Sequence, residues 1–486
     1  MNKLSRAIGL GMVAIMPFGL IGCGLTETKD YTKMSSESIF DKEDNEDDTD
    51  DQIRTIKVGT WYDHFFDSNQ LDEYEGQSVK GDEATQKRFQ VMKDIEEKYN
   101  VRLEFVKYSW SDLQKSIYDS SAEGTPDCDI YEVDYTFGIP IVSNGYAANL
   151  NEIVSADDDL FNEQNVFYPV NIGSADETYL FATKSAEDSL SNTYLLAYNK
   201  QLLDEAGLED PNALYDRGEW TWDKWMEYMQ VLTKDADGDG VCEYYGFASR
   251  YDFLMYLILL SNGTNIAATE TENLSSPEVG ECLDFVYDMY NESKVAYPWN
   301  SEDFSANTDT YVSGKIGFWI TATWISSDNS DANLGFDIVW CPFPIGPSGD
   351  QLTNYTKNAT AGKAWMIPQN CEDPELVYEI FYDYNNWFDG DESLRDGSLN
   401  WYKESALTEE NYNLMLEVGS KSLFDPWNSL SINYNFIDFL EGRVGPDEFQ
   451  EVNKGYVQDA LDELYGKTIE EPAESSADSS IEESFE

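Results

Sequence analysis

The chain has 486 residues, 94 acidic against 31 basic, and its formal net charge of −63 repels phosphate backbones and anionic headgroups, which argues against nucleic acid as a partner. Its length divides into two or three globular units at a soft prior of about 150 residues each. The 32 Tyr, 24 Phe and 13 Trp supply enough rings to fill cores or to line an apolar cleft. His64 is the one histidine, so a zinc site built from several histidines is excluded, and a Ser-His-Asp arrangement would have to use it.

At the amino end, Lys3 and Arg6 precede an apolar run from Ala7 to Leu20 that closes on Leu20-Ile21-Gly22-Cys23. A spanning helix wants about 20 apolar residues, and Pro17 and several glycines interrupt this run. The charge, the short apolar stretch and the small residue before Cys23 are those of an export signal, and the tetrapeptide resembles a bacterial lipobox. Residues 1–22 are therefore read as a signal peptide, and Cys23 as the lipid-bearing first residue of a protein on the extracellular face of the cell membrane. Residues 23–53, which include DKEDNEDDTDD at Asp41 to Asp51, read as an acidic disordered tether extended by its like charges. Residues 467–486 read as a second disordered acidic segment, a tail.

After the tether, Ile56 and Val58 alternate with polar residues, predicting a strand that ends in Trp61-Tyr62-Asp63-His64. Phe89, Met92, Ile95 and Tyr99 fall at helical spacing, and Val101, Leu103 and Phe105 alternate as a second strand. A helix over 112–121 and a strand over 128–133 come next. Repeated βα units predict a mainly parallel sheet whose ligands bind beyond the carboxyl ends of its strands, where Trp61 to His64, Tyr108 to Trp110 and Asp134 to Phe137 lie. Farther on, Trp222, Trp225, Met226, Met229 and Leu232 form an apolar helical stripe that reads as core, and Asp373 before Pro374 reads as a helix cap. Cys128, Cys242, Cys282, Cys341 and Cys371 show neither a CxxC pair nor a disulfide framework and read as small apolar residues.

Several blocks carry a resemblance. Gly124-Thr125-Pro126-Asp127 precedes a strand, Tyr198-Asn199-Lys200 leads to Ala206-Gly207-Leu208, Glu219-Trp220-Thr221-Trp222-Asp223 opens a helix, Gly314-Lys315-Ile316-Gly317 comes after Tyr311, and Ala361-Gly362-Lys363 leads to Pro368. Their order and spacing over residues 54–466 resemble the extracellular solute-binding proteins of ABC importers, in particular the sugar and oligosaccharide carriers. The departure is Gly317, where the family usually has a small apolar residue, and it is expected to matter little. The resemblance implies an α/β fold of two lobes with a hinge, a type II periplasmic-binding-protein-like fold: residues 54–165 and 322–368 in one lobe, 166–321 and 369–466 in the other. It also implies a monomeric carrier that hands its ligand to an ABC permease.

Between these blocks, Asp235, Asp237 and Asp239 occupy positions one, three and five of a loop, Gly240 position six, Val241 position seven and Glu243 position nine. This is the spacing by which a curled loop collects oxygens for Ca²⁺, with Val241 offering its carbonyl. Position twelve is Gly246 rather than a bidentate glutamate, so a structural calcium would sit in an EF-like loop without an EF-hand. Some members of the resembled family carry calcium in a loop at this place.

Neither GxSxG nor GxxxxGK[ST] occurs, and no carboxylate pair at hydrolytic separation can be read from the sequence. Binding without chemistry is the stronger reading. A sugar cleft needs rings for C–H faces and polar groups for hydroxyls, and the candidates are Trp61, Asp63, Asp134, Tyr135, Arg250, Trp324 and Trp427. Asp63 and Trp324 are singled out because ligand contacts in the resembled family often come just after the first strand and after the strand that succeeds the GK block. A peptide or amino-acid carrier, a surface glycan-binding protein without a transporter and a glycosidase remain as alternatives.

Overall fold

The computed structural model describes residues 53–61, 66–73, 83–170, 172, 177–184, 193–268, 270–300, 307, 309–351, 357–358, 362–395, 400–419, 422–423, 427, 429–430 and 432–465. The leader, Cys23, all of the tether but Ile53, Asp63, His64 and the tail lie outside the described residues.

Ten strands form two mixed sheets. The first contains β1 (Arg54–Thr60), β2 (Val101–Lys107), β3 (Ile130–Asp134), β4 (Phe167–Val170) and β5 (Leu180–Thr183). The second contains β6 (Leu195–Asn199), β7 (Tyr245–Phe247), β8 (Ile316–Thr321) and β9 (Ile338–Cys341), and β10 (Lys363–Met366) returns to the first. The order in the first sheet is β2-β1-β3-β10-β5-β4, and in the second β9-β6-β8-β7. Only β2-β1-β3 of the first sheet and β7-β8 of the second run parallel; every other neighbouring pair is antiparallel. The mainly parallel sheet predicted from the early βα units therefore ends at β3.

These pairings place the lobes differently from the sequence-based boundaries. β4 and β5, expected in the second lobe, belong to the first, because β5 pairs with β10 through Phe181 and Trp365. The helix Pro374–Asn385 also packs there: Phe381 stacks on Phe167 at 5.9 Å and meets the Trp365 ring at 4.5 Å. Conversely, β9, expected in the first lobe, hydrogen-bonds to β6 in the second. Among the described residues the chain thus changes lobe three times, between Thr183 and Tyr194, between Ile345 and Lys363, and between Leu394 and Tyr402. Alternation reveals a strand but not its partner, and the partner assigns the lobe.

Four helices frame the sheet ends: α1 (Glu83–Tyr99), α2 (Trp110–Glu123), α3 (Tyr135–Ser143) and, in the second lobe, α4 (Trp222–Leu232). The α4 stripe of Trp222, Trp225, Met226, Met229 and Leu232 is buried, as its period predicts. Gly317 matters more than expected. A Cβ there would lie 2.6 Å from Leu232 Cδ1 and 2.9 Å from the Gly246 carbonyl, so a glycine is what lets Leu232 of α4 close onto β8. Asp373 stands before Pro374 at a φ of 58° without a side-chain capping bond, and its carboxylate pairs with Arg54 at 3.3 Å instead. All five described cysteines are free thiols; Cys128, Cys282 and Cys341 are buried and Cys242 and Cys371 half-buried.

In the second lobe the Tyr311 ring stacks on Trp319 at 4.5 Å, and its hydroxyl donates to Asp331 Oδ1 at 2.8 Å. Burial pushes the Asp331 carboxyl up to about 6, with the hydrogen bond from Tyr311 opposing. A folded value above the unfolded one means that Asp331 favours folding below about pH 4 and that this contribution is lost as pH rises through about 6. Asp331→Asn keeps an acceptor for Tyr311 and removes the charge. It is expected to raise stability at pH 8 by up to about 3 kcal/mol and to give no gain at pH 4. Denaturant titration at the two pH values checks this; an equal effect at both would show that ionisation of Asp331 is irrelevant.

Candidate functional site

β1, β2 and β3 run parallel, so the residues just beyond their carboxyl ends gather along one edge: Trp61 after β1, Tyr108 to Trp110 after β2, and Asp134, the last residue of β3. In the second lobe the parallel β7 and β8 deliver Arg250 and Trp324 to a common edge, to which antiparallel β6 brings Tyr194 at its amino end. The two edges come near each other: the charge of Arg250 from the second lobe reaches the Asp134 carboxyl of the first and opposes the rise that burial gives it.

Asp134 holds the centre. It caps α3, with Oδ1 accepting from the Thr136 amide and hydroxyl, both at 2.8 Å. Burial raises its pKa, opposed by the Thr136 bonds, by Lys363 and by Arg250. Lys363 lies opposite Asp134 in the antiparallel register of β10 and β3, and its ammonium pairs with Glu132 at 3.5 Å. Glu132 in turn accepts from the Thr60 hydroxyl at 2.8 Å.

Across the cleft, Arg250 precedes the buried helix α5 (Tyr251–Ser261) and forms an ion pair with Asp252, Nε to Oδ1 at 2.9 Å. Burial alone would lower the pKa of Arg250; the Asp252 charge and hydrogen bond more than offset that and raise it. The Arg250 guanidinium lies over the Phe253 ring at 4.3 Å, and Phe253 packs on Tyr194 at 4.9 Å and on Trp324 at 6.0 Å. Trp324 is the second residue of α6 (Thr323–Asp328) and remains 37% exposed. The site thus offers exposed ring surface beside fixed hydrogen-bonding groups.

Of the sequence candidates, Trp61, Asp134, Arg250 and Trp324 are brought to these two edges, while Asp63 lies outside the described residues. Two are placed elsewhere. Tyr135 is 6% exposed within the first-lobe core, and Trp427 is fully buried in the second-lobe core, stacked on Tyr434 at 4.3 Å, so its ring has no face left for a ligand. Sequence reasoning missed Lys363, which the antiparallel register of β10 against β3 sets opposite Asp134, and the buried Tyr194 and Phe253, which back Trp324 and Arg250 from within the second-lobe core.

The acidic loop lies between α4 and β7, closed at its base by the Lys234 amide donating to the Tyr244 carbonyl at 3.0 Å. Asp235, Asp237, Asp239 and Glu243 each place one carboxylate oxygen within 4.8 Å of the others. The carboxylates also order the loop: Asp235 accepts from the Gly238 and Gly240 amides, and Asp239 from the Val241 amide. Such hard oxygens fit Ca²⁺, and the Val241 side chain points to solvent, leaving only its backbone carbonyl to contribute. Gly246, at position twelve, is packed against the Met229 backbone.

The fold is shared with solved structures of low sequence identity. An ABC substrate-binding protein from Listeria monocytogenes in complex with cycloalternan superposes with a TM-score of 0.56 at 16% identity, covering 85% of this chain and 100% of that one. The maltose/maltodextrin-binding domain MalE from Bdellovibrio bacteriovorus, bound to maltotriose, gives 0.52 at 15% identity over 84% and 98%. The GacH receptor of Streptomyces glaucescens, solved unliganded and with acarbose, gives 0.52 at 16% over 84% and 98%. No curated protein matches in sequence. Residues 41–384 match the family model of the bacterial extracellular solute-binding proteins, and the chain belongs to that family.

Proposed function

We propose that this protein captures a neutral oligosaccharide between its two lobes and delivers it, unaltered, to an ABC permease. The observation that carries this reading is the approach of the two strand-end edges, Asp134 of the first lobe feeling the charge of Arg250 of the second, with Trp61 just beyond β1 and the exposed Trp324 just beyond β8. Rings cover the C–H faces of a sugar while the polar groups meet its hydroxyls. The cations of the cleft are already paired, Arg250 with Asp252 and Lys363 with Glu132, which favours a neutral ligand over the charged termini of a peptide or amino acid. Closure would be driven by the ligand's preference for the state in which both edges touch it. Membership in a solute-binding family, and the oligosaccharides bound by the structural relatives, support a carrier rather than an enzyme. The body works as a monomer, tethered to the outer face of the membrane through acyl chains on Cys23, and the loop of Asp235, Asp237, Asp239, Val241 and Glu243 holds a structural Ca²⁺.

Maltotriose or another oligosaccharide is expected to raise the melting temperature of the purified protein, because the ligand binds only the native state. Trp324→Ala should weaken binding by roughly tenfold through loss of a stacking face. Chromatography of the incubated sugar should return it intact; cleavage products that vanish in a carboxylate variant would overturn the carrier reading.

Chelation is expected to lower the melting temperature, and Asp237→Ala to abolish that sensitivity. At a hundredfold excess of calcium over Kd the stabilisation amounts to about 2.7 kcal/mol. Identical melting curves with and without chelator would reject the ion.

Full-length protein is expected to fractionate with membranes, since stable anchoring takes more than one acyl chain. Cys23→Ser should release it into the soluble fraction. Unchanged membrane retention of that variant, with no lipid label on the wild type, would exclude the lipid anchor.

A further inference from the structure

We propose that Trp110 is an outer stacking position of the cleft, so that the ligand is an oligosaccharide long enough to run from the Asp134 and Arg250 centre past Trp61 to the free edge of the first sheet. This rests on the sugar-carrier reading above and deepens it.

The strand order sets the geometry. In β2-β1-β3 the three carboxyl ends stand in line, carrying Trp110, Trp61 and Asp134 in turn, with β2 the edge strand. The chain leaving β2 stays beside the chain leaving β1, because the Tyr108 amide donates to the Thr60 carbonyl at 2.8 Å. Trp110 then opens α2, and its backbone is fixed by a reciprocal cap: the Ser109 hydroxyl donates to Asp112 at 2.7 Å and accepts from the Asp112 amide at 3.1 Å.

Ring contacts hold the side chain in place as well. Trp110 meets the buried Phe137 edge-on at 5.3 Å and 77°, and Trp61 meets the same ring at 6.1 Å and 68°. One buried phenylalanine therefore pins both indoles as neighbours, yet Trp110 stays 37% exposed. The start of a helix does not require tryptophan, and packing on Phe137 accounts for the contact but not for the open ring surface. A pre-positioned, exposed indole next to Trp61, at the far end of the line from Asp134, is what a second sugar ring would stack on.

The test is calorimetric titration of the purified full chain with two homologous series, maltose to maltotetraose and mannobiose to mannotetraose. Wild-type affinity should rise with length in the series that binds. Trp110→Ala should flatten that rise, with a loss of roughly tenfold on the longest sugar and within about twofold on the shortest. Trp110→Phe should recover most of it, and the melting temperatures of both variants should stay close to wild type. Equal weakening at every length, no weakening at any, or a wild-type affinity that stops rising at the disaccharide overturns the role of Trp110 and leaves the carrier reading standing. No binding by the wild type in either series, together with no rise in its melting temperature across a wider panel of oligosaccharides, overturns the carrier reading itself.

Discussion

Much of the architecture hangs on the insertion of β10 between β3 and β5. Both edges of a four-residue segment must find backbone partners, and Lys363–Met366 finds them by returning from the second lobe into the middle of the first sheet. That return joins the parallel half, β2-β1-β3, to the β4-β5 pair, which makes no other strand pairing with the sheet among the described residues. It also sets Lys363 opposite Asp134, the residue that feels Arg250 from the second lobe. Sheet completion, the second lobe crossing and the polar centre of the cleft are therefore consequences of one pairing.

Charge is distributed to match. In a chain of net charge −63 the cleft gathers Arg250 and Lys363 among the described residues, each committed to a carboxylate beside it. Paired charges in a partly desolvated site keep their hydrogen bonds while presenting little net field, and a polyol ligand exploits such groups without bringing charge of its own. A bare guanidinium or ammonium in this place would select anions.

Aromatic residues divide by the same geometry. Trp220, Trp225, Trp319, Trp340 and Trp427 are fully buried among second-lobe helices and strands, where their large apolar faces fill the core. Trp110 and Trp324 keep more than a third of their surface because each opens a helix just beyond a strand end, where the sheet stops covering side chains. Position just beyond a strand end thus marks Trp110 and Trp324 as candidate ligand platforms, whereas Trp401, 45% exposed, lies on the helix Asn400–Ser405 away from the strand ends.

Residue order was enough to read the alternation and helical stripes that make β1, β2, α1 and α4, the export-signal pattern and acidic flanks, the calcium-like spacing after α4, and the family. It also offered Trp61, Asp134, Arg250 and, through the family resemblance, Trp324 as candidates, and the structure sets all four at or just beyond strand ends. Only long-range packing settled which lobe β4, β5 and β9 join, that Trp427 is core, that Gly317 is needed against Leu232, and that Lys363 stands opposite Asp134 while Tyr194 and Phe253 back Trp324. One cause underlies this division. Local periodicity reports which face of an element is apolar, whereas register and lobe membership depend on hydrogen-bond partners far along the chain, which no local pattern encodes.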